Sequence, residues 1–198
     1  MKQVLVFWAV FITMCFIIGC GEDKTETTPQ SEVLIEEGWK EYIAGNYDLA
    51  IEKFQRALNE DPNNAEAYNG IGWSKAKLGQ IEQSIDSFKS AIAKDPSKAD
   101  SHAGLAGVYL AIGDYERAIA SANRVISLDL KYASFHDDVD IRSIRLILAE
   151  AYYYRKDYTN ARNQIELLGN TGKTLDPSSS SYEKDLMLVI EELRKKQG

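Results

Sequence analysis

The chain has 198 residues, 44% of them hydrophobic, with a formal net charge of −7. That apolar share suffices for a packed core and excludes global disorder. The acidic excess faces no basic run, so the electrostatic footprint of nucleic-acid binding is absent. The cysteines, Cys15 and Cys20, both lie near the N-terminus, so the remainder forms neither a disulfide nor a thiolate metal site.

The first element is an address. Met1–Gln3 carry one positive charge, and Val4–Ile18 form an almost unbroken apolar run of 15 residues. A spanning helix needs about 20, so the run fits a secretory h-region better than a membrane span. Ile17-Ile18-Gly19-Cys20 resembles the bacterial lipobox. The resemblance implies lipidation of Cys20 and cleavage after Gly19, in place of an ordinary signal peptide or an uncleaved anchor. Several acyl chains on one cysteine would hold the protein in the bilayer, since each buried methylene contributes about 0.8 kcal/mol. Gly21, where an Asp would retain a lipoprotein in the inner membrane, favours the outer membrane of a bacterial envelope. Residues 20–30 are polar and aperiodic, a flexible tether.

From residue 31 one motif recurs. Gly45-Asn-Tyr-Asp-Leu-Ala50, Gly79-Gln-Ile-Glu-Gln-Ser84 and Gly113-Asp-Tyr-Glu-Arg-Ala118 start 34 residues apart, and Lys156-Asp-Tyr-Thr-Asn-Ala161 follows 43 residues later. A 34-residue period predicts stacked helical hairpins. Gly38, Gly72, Ala106 and Ala149 make a small-residue column, and Ala50, Ser84, Ala118 and Ala161 face it. Tyr47, Ile81, Tyr115 and Tyr158 are large, with Phe54, Phe88, Ala122 and Ile165 behind them. Small against large is how helices interdigitate.

The punctuation agrees. Gly45, Gly79 and Gly113 would end the first helix of each hairpin in a left-handed conformation. Of the residues that follow, Asn46, Asp114 and Asp157 are good N-caps. Asp61-Pro62 and Asp95-Pro96 stop the second helices. Three departures carry expectations of their own. Glu37, in the column of Ile71, Leu105 and Leu148, predicts a poorly formed first hairpin. Lys156 replaces a glycine. Asp129-Leu130 lacks the proline, so the third hairpin's second helix is expected to run on into an insertion at 133–141.

The pattern resembles the tetratricopeptide repeat over about Ser31 to Leu168. The implied fold is all-α, an α-solenoid of about four helical hairpins plus a C-terminal capping helix. Its parts are a signal peptide at 1–19, a tether at 20–30, repeats at 31–64, 65–98, 99–132 and 142–168, and a capping helix at 178–197. In that last helix Tyr182, Leu186, Val189, Ile190 and Leu193 recur at helical spacing, and a polar outer face would close the solenoid.

No catalytic constellation, phosphate loop or nucleophile elbow is present, so an enzyme is not expected, nor a cofactor. His102 reads as a structural histidine. His136-Asp137-Asp138-Val139-Asp140 is the one metal-like cluster; it lacks the spacing of a Ca²⁺ loop and reads as a polar insertion whose aspartates cap the next helix. In repeats of the resembled family the first helix of each hairpin lines a concave groove. Here that implies Trp39, Tyr42, Asn69, Trp73, Lys77, Leu110, Glu150, Tyr153 and Tyr154 as a partner-binding surface, with the tryptophans as exposed anchors. Lateral packing between hairpins, or cover by the tether, is the competing account of the same aromatics. Trp39 and Trp73 stand where the chaperone-binding carboxylate clamp of some family members needs Asn, and matching lysines are mostly absent, which argues against that role. The expected function is a lipid-anchored adaptor holding a protein or peptide partner in the cell envelope. The alternatives are a self-assembling spacer and an accessory subunit of an envelope assembly or secretion complex.

Overall fold

The computed structural model describes residues 29–169 and 175–196. The expected signal peptide, Cys20 and the expected tether up to residue 28 lie outside the described residues, as do 170–174 and 197–198. Nine helices are formed among the described residues: α1 (Gln30–Ile43), α2 (Tyr47–Glu60), α3 (Ala65–Lys77), α4 (Ile81–Lys94), α5 (Ala99–Ala111), α6 (Tyr115–Leu128), α7 (Ile141–Tyr154), α8 (Tyr158–Leu167) and α9 (Tyr182–Lys195). Consecutive helices pair as four antiparallel hairpins; α1, α3, α5 and α7 stack side by side, and α9 packs on α7 and α8. None of these helices is long and apolar enough to cross a membrane.

Two phenylalanines show why the small columns exist. The ring of Phe54 is completely buried. A methyl group on Gly38 would lie 2.6 Å from it, and one on Gly70 would lie 2.3 Å from it. Phe88 repeats the arrangement between Gly72 and Gly104, at 2.6 and 2.2 Å. Each ring is thus wedged between its own hairpin and the next, where full burial of such a side chain contributes about 1.5–3 kcal/mol. The third hairpin inverts the recipe. Ala122 stands where the phenylalanines stood, and the column of Gly70 and Gly104 continues as Ile147, packed against the same core. Volume lost on one helix is restored on its neighbour, which keeps the interior close-packed. A second cluster of Leu146, Ala149, Ala161, Ile165, Leu186, Val189 and Ile190 joins the fourth hairpin to α9.

The turns inside the hairpins share one geometry. Gly45, Gly79 and Gly113 have φ of +82°, +72° and +75°, and Lys156 holds the same left-handed region at φ 61°. In each turn this residue's N–H reaches back three residues and the next N–H reaches back five, as Gly45 to Tyr42 and Asn46 to Glu41, or Lys156 to Tyr153 and Asp157 to Tyr152. This is a Schellman closure, and it leaves Lys156 paying the steric cost that glycine avoids. Asp114 and Asp157 then cap α6 and α8 through their side chains. Asn46 does not cap; its amide donates to Glu41 Oε2 at 2.8 Å.

Two sequence expectations are corrected. Helix α6 does not run on without its proline; it stops at Leu128. Asp129 does the work, its carboxylate accepting from the Lys131 N–H at 2.7 Å as Asp61 accepts from Asn63 and Asp95 from Ser97. An aspartate that bonds its own backbone two residues on offers the chain a turn instead of a helix. Nor is the first hairpin poorly formed. Glu37 sits at the exposed outer edge, where no preceding hairpin needs an apolar residue, and pairs with Lys53 at 2.7 Å.

Candidate functional site

The inner face is built from the stacked first helices. Trp39 on α1 and Trp73 on α3 stand edge-on to the buried phenylalanines, 5.1 Å from Phe54 and 5.5 Å from Phe88 between centroids. Their indole N–H groups donate forward into the next hairpin, Trp39 to Glu66 Oε1 and Trp73 to Asp100 Oδ2, both at 2.8 Å. Both acids sit in the first turn of the receiving helix, where negative charge is favourable. Asp100 also accepts from Asn69 at 2.8 Å and from the Tyr132 hydroxyl at 2.6 Å, while Glu66 pairs with Lys98. The tryptophans are therefore lateral ties between hairpins, with their polar edges satisfied inside the stack.

Their faces are not open either. Trp39 is 5% exposed, Trp73 9% and Tyr42 4%. The expectation of exposed aromatic anchors is corrected, and over Trp39 and Tyr42 the physical reason is the insertion. Residues 133–140 fold back across the inner face as a small loop, closed at its base by an antiparallel bridge between Ala133 and Asp140. The Ser134 N–H donates to the Val139 carbonyl at 2.7 Å, and that of Ile141 to the Tyr132 carbonyl at 2.8 Å. Tyr132 is buried and Val139 packs on the core. Asp140 starts α7 with a capping box, accepting from the Arg142 and Ser143 N–H groups at 2.9 Å each.

The tip of the loop contacts the first two hairpins. The His136 imidazole stacks on the Trp39 indole, centroids 3.8 Å apart and planes at 10°. The Tyr42 hydroxyl donates to Asp137 Oδ2 at 2.9 Å, across 95 residues of chain. Lys77 Nζ lies 3.0 Å from Asp137 Oδ2 and 3.3 Å from Oδ1. Aromatic stacking adds about 0.5–1.5 kcal/mol, and a partly exposed ion pair about 0–1 kcal/mol. The tip is therefore held far less firmly than the base. Burial raises the pKa of the Tyr42 phenol, with the Asp137 carboxylate acting in the same direction, so it stays protonated and a donor. Tyr132 is raised by burial and then by Asp100. Burial lowers His136 below the ordinary imidazole value despite Glu66 nearby, which keeps the stacked ring neutral at pH 7. The residues of the metal-like cluster are thus directed to different partners: an indole, a phenol with an ammonium, and a helix N-terminus.

Beyond the loop the inner face opens. The column of Trp39 and Trp73 continues as Gly107, against whose α-carbon nothing lies within 4 Å of where a methyl would stand. A cleft of about 750 Å³ occupies that space, lined by Gly107, Leu110, Tyr115, Glu150, Tyr154 and Arg194. Tyr154 stacks on Tyr115 with centroids 5.0 Å apart. Arg194 of α9 pairs with the buried carboxylate of Glu150 and closes the far wall.

The nine residues expected to form one groove therefore divide. Trp39, Tyr42 and Lys77 meet the loop tip; Asn69 and Trp73 belong to the Asp100 network; Leu110, Glu150 and Tyr154 line the cleft. Tyr153 turns away toward Tyr158, 5.5 Å off, and a separate surface hollow between α8 and α9. Sequence reasoning missed Gly107, Tyr115 and Arg194. Continuing the tryptophan column by one more period would have found the glycine. His102, on the other side of the stack, is half-buried and lies 3.4 Å from the Pro96 carbonyl; burial lowers its ionisation.

Comparison with known proteins follows the hairpins. The family described as TPR repeat matches residues 38–78, and that described as Tetratricopeptide repeat matches residues 70–133. No curated protein matches the chain in sequence. Among solved structures, MamA is similar with a TM-score of 0.63 at 21% identity, covering 85% of this chain and 90% of MamA. A thermophilic TPR protein of Thermus thermophilus aligns at 0.58 and 18% identity, covering 85% and 83%. The TPR2B domain of yeast Sti1, solved in complex with pHsp70, aligns at 0.57 and 20% identity, covering 65% of this chain and all of the domain. Tetratricopeptide repeats are thus matched over residues 38–133, inside a stack of four hairpins that shares the fold of these structures.

Proposed function

We propose that this protein is a non-catalytic adaptor of a bacterial envelope, lipid-anchored at Cys20 and probing for a protein or peptide partner with its inner face. The observation that carries the reading is the cleft at Gly107. Where the tryptophan column lapses, apolar Leu110, the Tyr115–Tyr154 stack and the charged pair of Glu150 and Arg194 surround an unfilled space. A concave surface with aromatic walls and few placed polar groups suits a peptide segment. The anchor and the envelope location rest on the lipobox resemblance of Ile17-Ile18-Gly19-Cys20, with Gly21 favouring the outer membrane.

Site-specific photocrosslinking in the native membrane tests the partner. A crosslinker at Leu110 should capture a discrete protein, whereas one at Asp86, exposed on α4, should not. Equal capture at both positions would overturn the reading. The anchor is tested separately: Cys20→Ser should abolish uptake of labelled palmitate, and persistent labelling would exclude lipidation at that cysteine.

A further inference from the structure

The loop tip is arranged in a way that simple cover does not explain. A segment present only to shield Trp39 and Tyr42 would lay its most apolar side chain on them. Instead Phe135 points outward, 95% exposed, while its neighbours His136 and Asp137 point in. What the inner face receives is a planar ring on an indole and, one residue later, a carboxylate between a phenol and an ammonium. These are recognition contacts: the stack fixes the plane of the ring, and the carboxylate has two donors, the Tyr42 hydroxyl and the Lys77 ammonium. The receiving side chains are preset by other bonds: Trp39 by Glu66 and Phe54, Tyr42 by its packing against Tyr47. The base of the loop is fixed independently by buried Tyr132, the Ala133–Asp140 bridge and the cap on α7. The tip can therefore leave without unfolding the base.

We propose that Trp39, Tyr42 and Lys77 form a receptor for a partner peptide bearing an aromatic or imidazole ring followed directly by Asp or Glu, and that His136-Asp137 occupies it in cis as an internal pseudo-ligand. The inference rests on the inner face being a partner surface and specifies the chemistry of one of its subsites. The basic and donor character of the receptor, Lys77 with the Tyr42 hydroxyl, is complementary to that carboxylate. Because the tip is tethered at both ends, it competes at high effective concentration, and a partner in trans sees only the fraction of molecules whose tip is open. The loop then sets the affinity threshold of the site.

The experiment uses the full chain in detergent and a fluorescent synthetic peptide copying residues 132–139. The variant H136A/D137A, its fold verified by circular dichroism, should bind the peptide at least tenfold more tightly than the unaltered protein. A peptide with asparagine in place of the aspartate corresponding to Asp137 should lose at least tenfold. Adding Lys77→Glu, a change at an exposed side chain, should remove binding. Equal affinity for both proteins, indifference to the asparagine change, or no binding to either protein would overturn the proposal. So would a concentration-dependent dimer of the unaltered protein that Asp137→Ala dissolves, since the occupant would then be a second copy. Crosslinking at Leu110 reports on the cleft and not on this subsite, so the two readings fail separately.

Discussion

The imidazole of His136 lies flat on the indole of Trp39, 3.8 Å between centroids and 10° from parallel. The contact joins the insertion after the third hairpin to the first helix of the first. It makes what is formally a loop a partly exposed wall over the inner face.

The contact should weaken in acid. Burial lowers the folded pKa of His136 below its ordinary 6.5, with Lys98 acting in the same sense and Glu66 and Asp100 opposing. When the tip is open, the ring therefore takes up a proton at a higher pH than when it is stacked. Closure is unpenalised above pH 6.5 and loses stability as pH falls from 6.5 toward the lowered value, below which the loss is constant. Fluorescence of Trp39 should report progressive opening across that window, and His136→Ala should flatten the profile. Half-buried His102, lowered by its own burial, should add an acid dependence to global stability that survives the His136 change.

Phe54 and Gly70 should behave as one unit. Gly70→Ala places a methyl 2.3 Å from the Phe54 ring and should cost about 2 kcal/mol or more through overpacking. Phe54→Ala alone should cost about 3–5 kcal/mol. In the Phe54→Ala background the clash vanishes, and Gly70→Ala should become stabilising by about 0.5–1 kcal/mol through helix propensity. Denaturant unfolding of the four proteins closes the cycle; additive costs would disprove the wedge.

Lys156 is the one described non-glycine residue with positive φ. Replacing it with glycine keeps the Schellman turn and relieves the side-chain clash of the left-handed region. Lys156→Gly should stabilise by about 1 kcal/mol. In calorimetry that is a rise of about 2–4 °C in Tm.

Asp140 serves two structures at once, as the cap of α7 and as half of the bridge that closes the loop. Asp140→Ala should cost about 1 kcal/mol. Amide exchange should quicken at Arg142 and Ser143, and Trp39 emission should shift as the tip loosens. Asp140→Asn, which retains an acceptor, should recover most of both signals.

The columns of small and large residues were legible because each reports on packing within one hairpin or between adjacent ones. Gly38, Gly72 and Phe54 carry their spatial relation in their spacing. Asp129 was misread because proline seemed necessary to stop α6, whereas the carboxylate common to Asp61, Asp95 and Asp129 stops all three helices. The groove was read as continuous because each tryptophan was judged within its own repeat. The bond from Trp39 to Glu66 and the stack on His136 cross repeats, and periodicity says nothing about what an aperiodic insertion will cover.

By itself, the sequence determined the all-α architecture of stacked hairpins and the small-to-large logic of their core, since a 34-residue period obliges each hairpin to bury the same face against the next. Only the tertiary structure decided that His136 and Asp137 close over Trp39 and Tyr42, while Gly107 leaves an open cleft. The reason is distance along the chain. Those contacts join segments as much as 95 residues apart, and stacking brings them together only after every intervening hairpin has taken its place.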